Sequence, residues 1–205
     1  SGVHMYTGED LAEALSHGYG SVELRLGWQM DGSEAWHHNY GFPAFGVGYY
    51  TGFIGDPDIL GKPNALYGFI SFPISPNRRH TWISELSFGL TYDLQNYDPI
   101  DNPYNDAIGA RGAVYFNYNI GGRFNLNREM DLLYGVDFTH FSNGRSFQPN
   151  YGLNMFGVNV GARYHFNSDQ KNADESPDNP SILLPVRPDV SKKKDIEMPL
   201  KEHNF

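Results

Sequence analysis

An imidazole and a hydroxyl stand two residues apart in His140-Phe141-Ser142, followed by Asn143-Gly144-Arg145 and then Gln148-Pro149-Asn150-Tyr151-Gly152-Leu153-Asn154. Serine hydrolysis needs a hydroxyl nucleophile, an imidazole to take its proton, a third group that holds the imidazole's tautomer, and donors for the oxyanion. Ser142, His140 and Asn154 supply the first three types, and the Asn143 side chain with the amides around Gly144 supplies candidate donors. Two polar residues at the end of any strand would look much the same, so the chemistry depends on what positions them.

Residues i and i+2 of a β-strand share a face. Leu132, Tyr134, Val136 and Phe138 therefore lie on the face of His140 and Ser142, while Gly135, Asp137 and Thr139 lie on the other. The base and the nucleophile point where the apolar side chains point. In a water-soluble protein that direction is a core; in a membrane barrel it is lipid. The period of two recurs along the chain. Val22, Leu24, Leu26 and Trp28 alternate with Glu23, Arg25, Gly27 and Gln29; Phe45, Val47, Tyr49, Thr51 and Phe53 oppose Ala44, Gly46, Gly48, Tyr50 and Gly52. A strand is expected near Ala65–Phe72. In the next, near Trp82–Tyr92, Trp82, Leu86, Phe88, Leu90 and Tyr92 point outward, with Glu85, Ser87, Gly89 and Thr91 inward. Val114, Phe116, Tyr118, Ile120 and Phe124 oppose Tyr115, Asn117, Asn119, Gly121 and Arg123. Asn127-Arg128-Glu129 turns into the strand that begins at Met130. In the last strand, Phe156, Val158, Val160, Ala162, Tyr164 and Phe166 oppose Gly157, Asn159, Gly161, Arg163 and His165.

That makes seven strands, and an eighth is expected within residues 1–7. The second faces mix glycines and aromatics with charges, which suits the crowded lumen of a narrow barrel better than a solvated surface. Aromatics near the strand ends match the interfacial girdles of outer-membrane barrels. The expected fold is an all-β, eight-stranded antiparallel transmembrane barrel over residues 1–166, with Glu23, Arg25, Glu85, Asn117, Arg123 and Arg163 as an internal polar network. A soluble sandwich or lipocalin-like barrel is the rival. A mean hydropathy of −0.52 and the lack of a long apolar run exclude a transmembrane helix but not a barrel, whose alternation averages out. The net charge of −9 argues against a nucleic-acid partner, and with zero cysteines there is neither a disulfide nor a thiolate metal site. No leader is visible, so an exported protein is expected here in mature form.

Direction follows from parity. If Phe166 ends at the periplasmic side, the strand from Met130 rises outward, and ten to twelve residues at ~3.3 Å, tilted by ~40°, climb roughly 25–30 Å. His140 and Ser142 then reach the outer-leaflet interface facing lipid, and Asn154, at the top of the descending strand, shares the outward register of Phe156.

His140-Phe141-Ser142-Asn143, Gln148-Pro149-Asn150 and Gly152 together resemble the motif of the outer-membrane lipid A 3-O-deacylases, the PagL-type acyloxyacyl hydrolases. The resemblance is strong over this short stretch and looser over residues 20–166. It implies an eight-stranded barrel with a site on its lipid-facing wall that cleaves the 3-position ester of lipid A and releases a 3-hydroxy fatty acid without a metal or other cofactor. Carried over, His140 resembles the base, Ser142 the nucleophile and Asn143 an oxyanion-hole residue; Arg145, Asn150, Phe138 and Phe156 are the expected substrate contacts. The implied partners are lipopolysaccharide and the lipids of the bacterial outer membrane. Two positions depart from the family's pattern. Arg145 stands where the family has a glycine, and Asn154 where it has glutamate. An amide orients a histidine, as asparagine does in papain-like proteases, but does not offset imidazolium charge.

Other segments carry weaker expectations. Glu9–Ser16 reads as a short helix ended by Gly18, and Trp36-His37-His38-Asn39-Tyr40 as a polar loop rather than a metal site. Residues 93–109 read as the most polar long connection. Lys62, Arg111 and Arg145 are better placed for lipid phosphates than the cluster Arg78-Arg79-His80, which parity assigns to the periplasmic rim. Residues 167–205, with five prolines and Lys192-Lys193-Lys194, abandon alternation and read as a periplasmic extension. The extension motivates a second reading: a non-catalytic barrel serving as a subunit of a larger outer-membrane assembly, docked through this tail to outer-membrane or periplasmic proteins.

Overall fold

The structure is a computed structural model that describes residues 1–5, 11, 15, 18–30, 33–76, 79–127 and 129–166. The helix expected over Glu9–Ser16, Arg78, Arg128 and the tail 167–205 lie wholly or mostly outside these residues. The strands are β1 (Gly2–Met5), β2 (Gly20–Gln29), β3 (Ala44–Phe53), β4 (Gly61–Pro76), β5 (His80–Leu94), β6 (Ala113–Asn125), β7 (Met130–Ser142) and β8 (Leu153–Tyr164). Their order is β1-β8-β7-β6-β5-β4-β3-β2, antiparallel at every ladder. The two ends of that order, β1 and the start of β2, meet where Gly2 and Tyr19 exchange backbone hydrogen bonds of 3.2 Å. The fold is an eight-stranded antiparallel β-barrel, and the expected eighth strand is β1. β4 and β5 run several residues past their expected ends.

Side chains distribute as alternation requires, inverted relative to a protein in water. Leu24 (72% exposed), Leu90 (67%) and Val160 (77%) face outward, whereas Glu85 and Ser87 inside are each 1% exposed. Such an apolar girdle far exceeds the patches that monomers expose to water. Hydrocarbon tolerates it, because a barrel satisfies its backbone groups from strand to strand.

The polar interior pairs its charges. Arg25 bridges Glu23, at 2.7 Å, and Glu85, and Tyr67 accepts from Arg25 Nε at 2.9 Å. Asp137 accepts from Tyr19, Asn117, Thr139 and Asn159, which holds it inside, away from His140. Asp131, fully buried, meets His165 at 2.8 Å and Arg123 at 3.9 Å. Of the residues expected inside, Glu23, Arg25 and Glu85 are bonded together, Asn117 is bonded to Asp137, and Arg123 meets Asp131 beside His165; Arg163 is half-buried in the same inward register.

Among the described residues, two short helices occupy connections. α1 (Ala35–Asn39) replaces the polar loop expected around Trp36. Its His37 is 5% exposed, packed edge-on to Trp36 at 4.3 Å, and no three metal-binding side chains cluster among the described residues. α2 (Pro57–Leu60) starts at Asp56, whose carboxylate accepts from the Asp58 amide at 2.9 Å, with proline at the first turn. α2 lies at the barrel end where β7 passes to β8; α1 and His80 lie at the opposite end.

Candidate functional site

The β7–β8 ladder decides what faces His140. Its register pairs His140 with Asn154 and Phe138 with Phe156, and directly opposed side chains in an antiparallel pair come within contact distance. His140 Nδ1 lies 2.7 Å from Asn154 Oδ1. With that oxygen accepting, Nδ1 carries the proton and Nε2 keeps its lone pair, the tautomer a general base needs.

Ser142 ends β7 on the same outward face. Its Oγ accepts from the Asn150 side-chain amide at 3.1 Å and from the Gly144 backbone amide at 3.2 Å. Both acceptances leave the hydroxyl proton uncommitted. Ser142 and His140 are not hydrogen-bonded to one another among the described residues; as i and i+2 of one strand their Cα atoms stand roughly 6.6 Å apart. The Asn143 side chain is engaged elsewhere: Oδ1 accepts from the Arg145 amide at 3.0 Å, and Nδ2 donates to the Phe147 carbonyl at 3.2 Å. Asn143 therefore shapes the turn, in which both Gly144 (φ +65) and Arg145 (φ +64) are left-handed. The second angle is one that glycine adopts freely and arginine does not. It falls where the deacylase pattern has glycine.

Beneath the imidazole lies an aromatic floor. Phe138 runs nearly parallel to His140 at 6.4 Å and packs against Phe156 at 5.1 Å and Phe116 at 6.5 Å. Phe116 faces His140 in the β6–β7 ladder. It was absent from the sequence-derived site, although the outward alternation of β6 contains it. Gly152, a residue of the motif, packs against the imidazole as well. Its φ is +72, and a Cβ there would stand 3.0 Å from His140 Cε1; the glycine lets the ring lie against the backbone. Lys62, Arg111 and Arg145 are at the barrel end that carries the site, all exposed.

The segment 147–152 is held by the β5–β6 connection. Tyr151 and Gly152 amides donate to the Asp106 and Ala107 carbonyls at 3.3 and 3.0 Å. Within that connection the backbone amides of Asp101 and Ile100 hold the Asp98 carboxyl below its ordinary range.

A family profile described as lipid A 3-O-deacylase (PagL) matches residues 21–163. The chain belongs to that family. No curated protein and no solved structure matches it significantly. The PagL match spans β2 to β8 and contains the whole site, and it carries the general function and place of the family: hydrolysis of lipid A in the outer membrane. A lipid-facing site on a polar-filled barrel accords with a substrate that is itself a membrane lipid.

Proposed function

We propose that this PagL-family barrel is a serine-dependent esterase that removes the 3-O-acyl chain of lipid A, with Ser142 as nucleophile, His140 as base and Asn154 as the group that orients the base. The observation that supports it most directly is the 2.7 Å contact of His140 Nδ1 with Asn154 Oδ1, on the outward wall and two residues along β7 from Ser142. Rotation of the Ser142 side chain toward Nε2, once an acyl chain lies on Phe116, Phe138 and Phe156, forms the missing hydrogen bond. Catalytic hydrogen bonds commonly tighten only in the substrate complex.

The proton of Oγ passes to His140 Nε2 as Oγ attacks the ester carbonyl. The Gly144 amide and the Asn150 side chain, both already directed at Oγ, are the nearest donors for the oxyanion, with Asn143 holding the turn that presents them. Collapse expels the sugar 3-oxygen, which takes the proton from His140. Water, activated by the same imidazole, then hydrolyses the acyl-serine and releases the 3-hydroxy fatty acid. Arg145 reaches the headgroup region and offers charge to a lipid phosphate.

The test is mass spectrometry of lipid A from cells expressing the wild-type chain or Ser142→Ala. Loss of one 3-O-linked acyl chain in the first and not the second is expected. Lipid A unchanged by the wild-type protein would overturn the reading.

A further inference from the structure

The β5–β6 connection, residues 95–112, is longer than a barrel turn requires, and its centre is a buried side chain with no part in the chemistry above. Asn105 is 0% exposed. Its Nδ2 donates to the Ile59 and Gln95 carbonyls at 2.9 and 2.8 Å, and its Oδ1 accepts from the Ile108 amide at 3.2 Å. One amide thus ties α2, the exit of β5 and the inner arm of the connection together. Such a fully satisfied buried amide tolerates few substitutes, because a partner left unpaired in the interior keeps its desolvation cost.

The arm that Asn105 anchors is the arm that touches the site. Ala107 and Ile108, both 0% exposed, pack in one cluster with Phe141, Leu153 and Met155. Asp106 and Ala107 accept from the Tyr151 and Gly152 amides. Gly109 passes so close that a Cβ there would stand 2.6 Å from the Phe147 carbonyl oxygen and 2.7 Å from that of Pro149. Segment 147–152 in turn carries Asn150 against Ser142 and Gly152 against the His140 ring.

We infer that Asn105 is a positioning residue for the hydrolytic site, acting through the backbone of residues 106–109 on segment 147–152. The inference rests on the esterase reading, but its evidence is the contact chain from Asn105 to Ser142 and His140. Positioning of this kind is steep: a displacement of about 1 Å of a catalytic group costs on the order of 10² in rate.

Two variants of the full-length barrel, folded in detergent micelles with lipid A as substrate, test it. Asn105→Asp keeps the acceptor for Ile108 and removes both donations. Gly109→Ala leaves Asn105 intact and forces the two loops apart, so it answers the question if the first variant does not fold. Each is expected to lower kcat about 10–100-fold with little change in KM. Hydrogen exchange in a peptide covering 147–152 is expected to quicken, while exchange in the ladder of β6 stays slow. A folded variant with kcat near wild type, or with exchange at 147–152 unchanged, overturns the inference. A wild-type chain that hydrolyses no lipid A overturns the esterase reading and this inference together, whereas activity that survives both substitutions overturns the inference alone.

Discussion

His140 and Asn154 stand directly opposite each other in the β7–β8 ladder and meet through Nδ1 and Oδ1 at 2.7 Å. In the proposed esterase the geometry of the orienting group is complete, but its charge is missing. Replacing the acid of a serine-protease triad by its amide costs about 10⁴ in kcat. Asn154→Glu is therefore expected to raise kcat on lipid A by at least ~10-fold, a conservative share of that template cost. Steady-state hydrolysis of purified substrate measures it, and no gain would mean that the pair does not work as a base and its orienting group.

Asn150 donates to the Ser142 oxygen, whereas the Asn143 amide is spent on the turn. Removing one oxyanion donor costs about 10²–10³ in kcat. Asn150→Ala is expected to lose that much with KM nearly unchanged. Equal damage to KM and none to kcat would reassign Asn150 to substrate binding.

Arg145, three residues after Ser142, holds a left-handed backbone and is exposed. Arg145→Gly is expected to stabilise the barrel by about 1 kcal/mol, because glycine takes this conformation without steric cost. The same substitution is expected to raise KM for phosphorylated lipid A more than for a dephosphorylated one. Urea unfolding in vesicles and paired kinetics read the two effects separately; equal KM changes on both substrates would remove the phosphate contact.

Val160, 77% exposed, belongs to the outward band of β8. Val160→Arg is expected to destabilise the barrel in a bilayer by about 2–4 kcal/mol, as a cation near the membrane midplane does. A change below half a kilocalorie in vesicle unfolding titrations would place Val160 in water.

The Asp98 carboxyl accepts from the Asp101 and Ile100 amides, which lowers its affinity for a proton. A carboxyl depressed in the folded state supports its turn above the unfolded pKa and ceases to do so as pH falls through the folded one. The Ile100 and Asp101 amide resonances are expected to titrate together with a midpoint below the ordinary 3.8. A midpoint at or above that value would show that the turn does not hold the charge.

Much of this molecule is legible in one dimension because a β-strand has a period of two. Alternation alone tells that Val22, Leu90 and Val160 share one surface and Glu23, Ser87 and Asn159 the other, and that His140, Ser142 and Phe138 share a face. The motif from His140 to Asn154 resembles that of the family whose profile matches the chain. What alternation leaves open is register and long-range pairing, since sliding a ladder by two residues preserves every face. Only the folded barrel brings Asn154 rather than Phe156 opposite His140, adds Phe116 from β6 to the floor, and closes Gly2 on Tyr19. Only there does Asn150, rather than Asn143, reach the Ser142 oxygen, because the turn between them consumes the Asn143 amide. Asn105, in a stretch that reads as plain polar loop, becomes a buried anchor for the same reason: its partner Ile59 lies on another connection and Gln95 ten residues back at the exit of β5, and no local pattern records which carbonyls the fold will leave needing a donor.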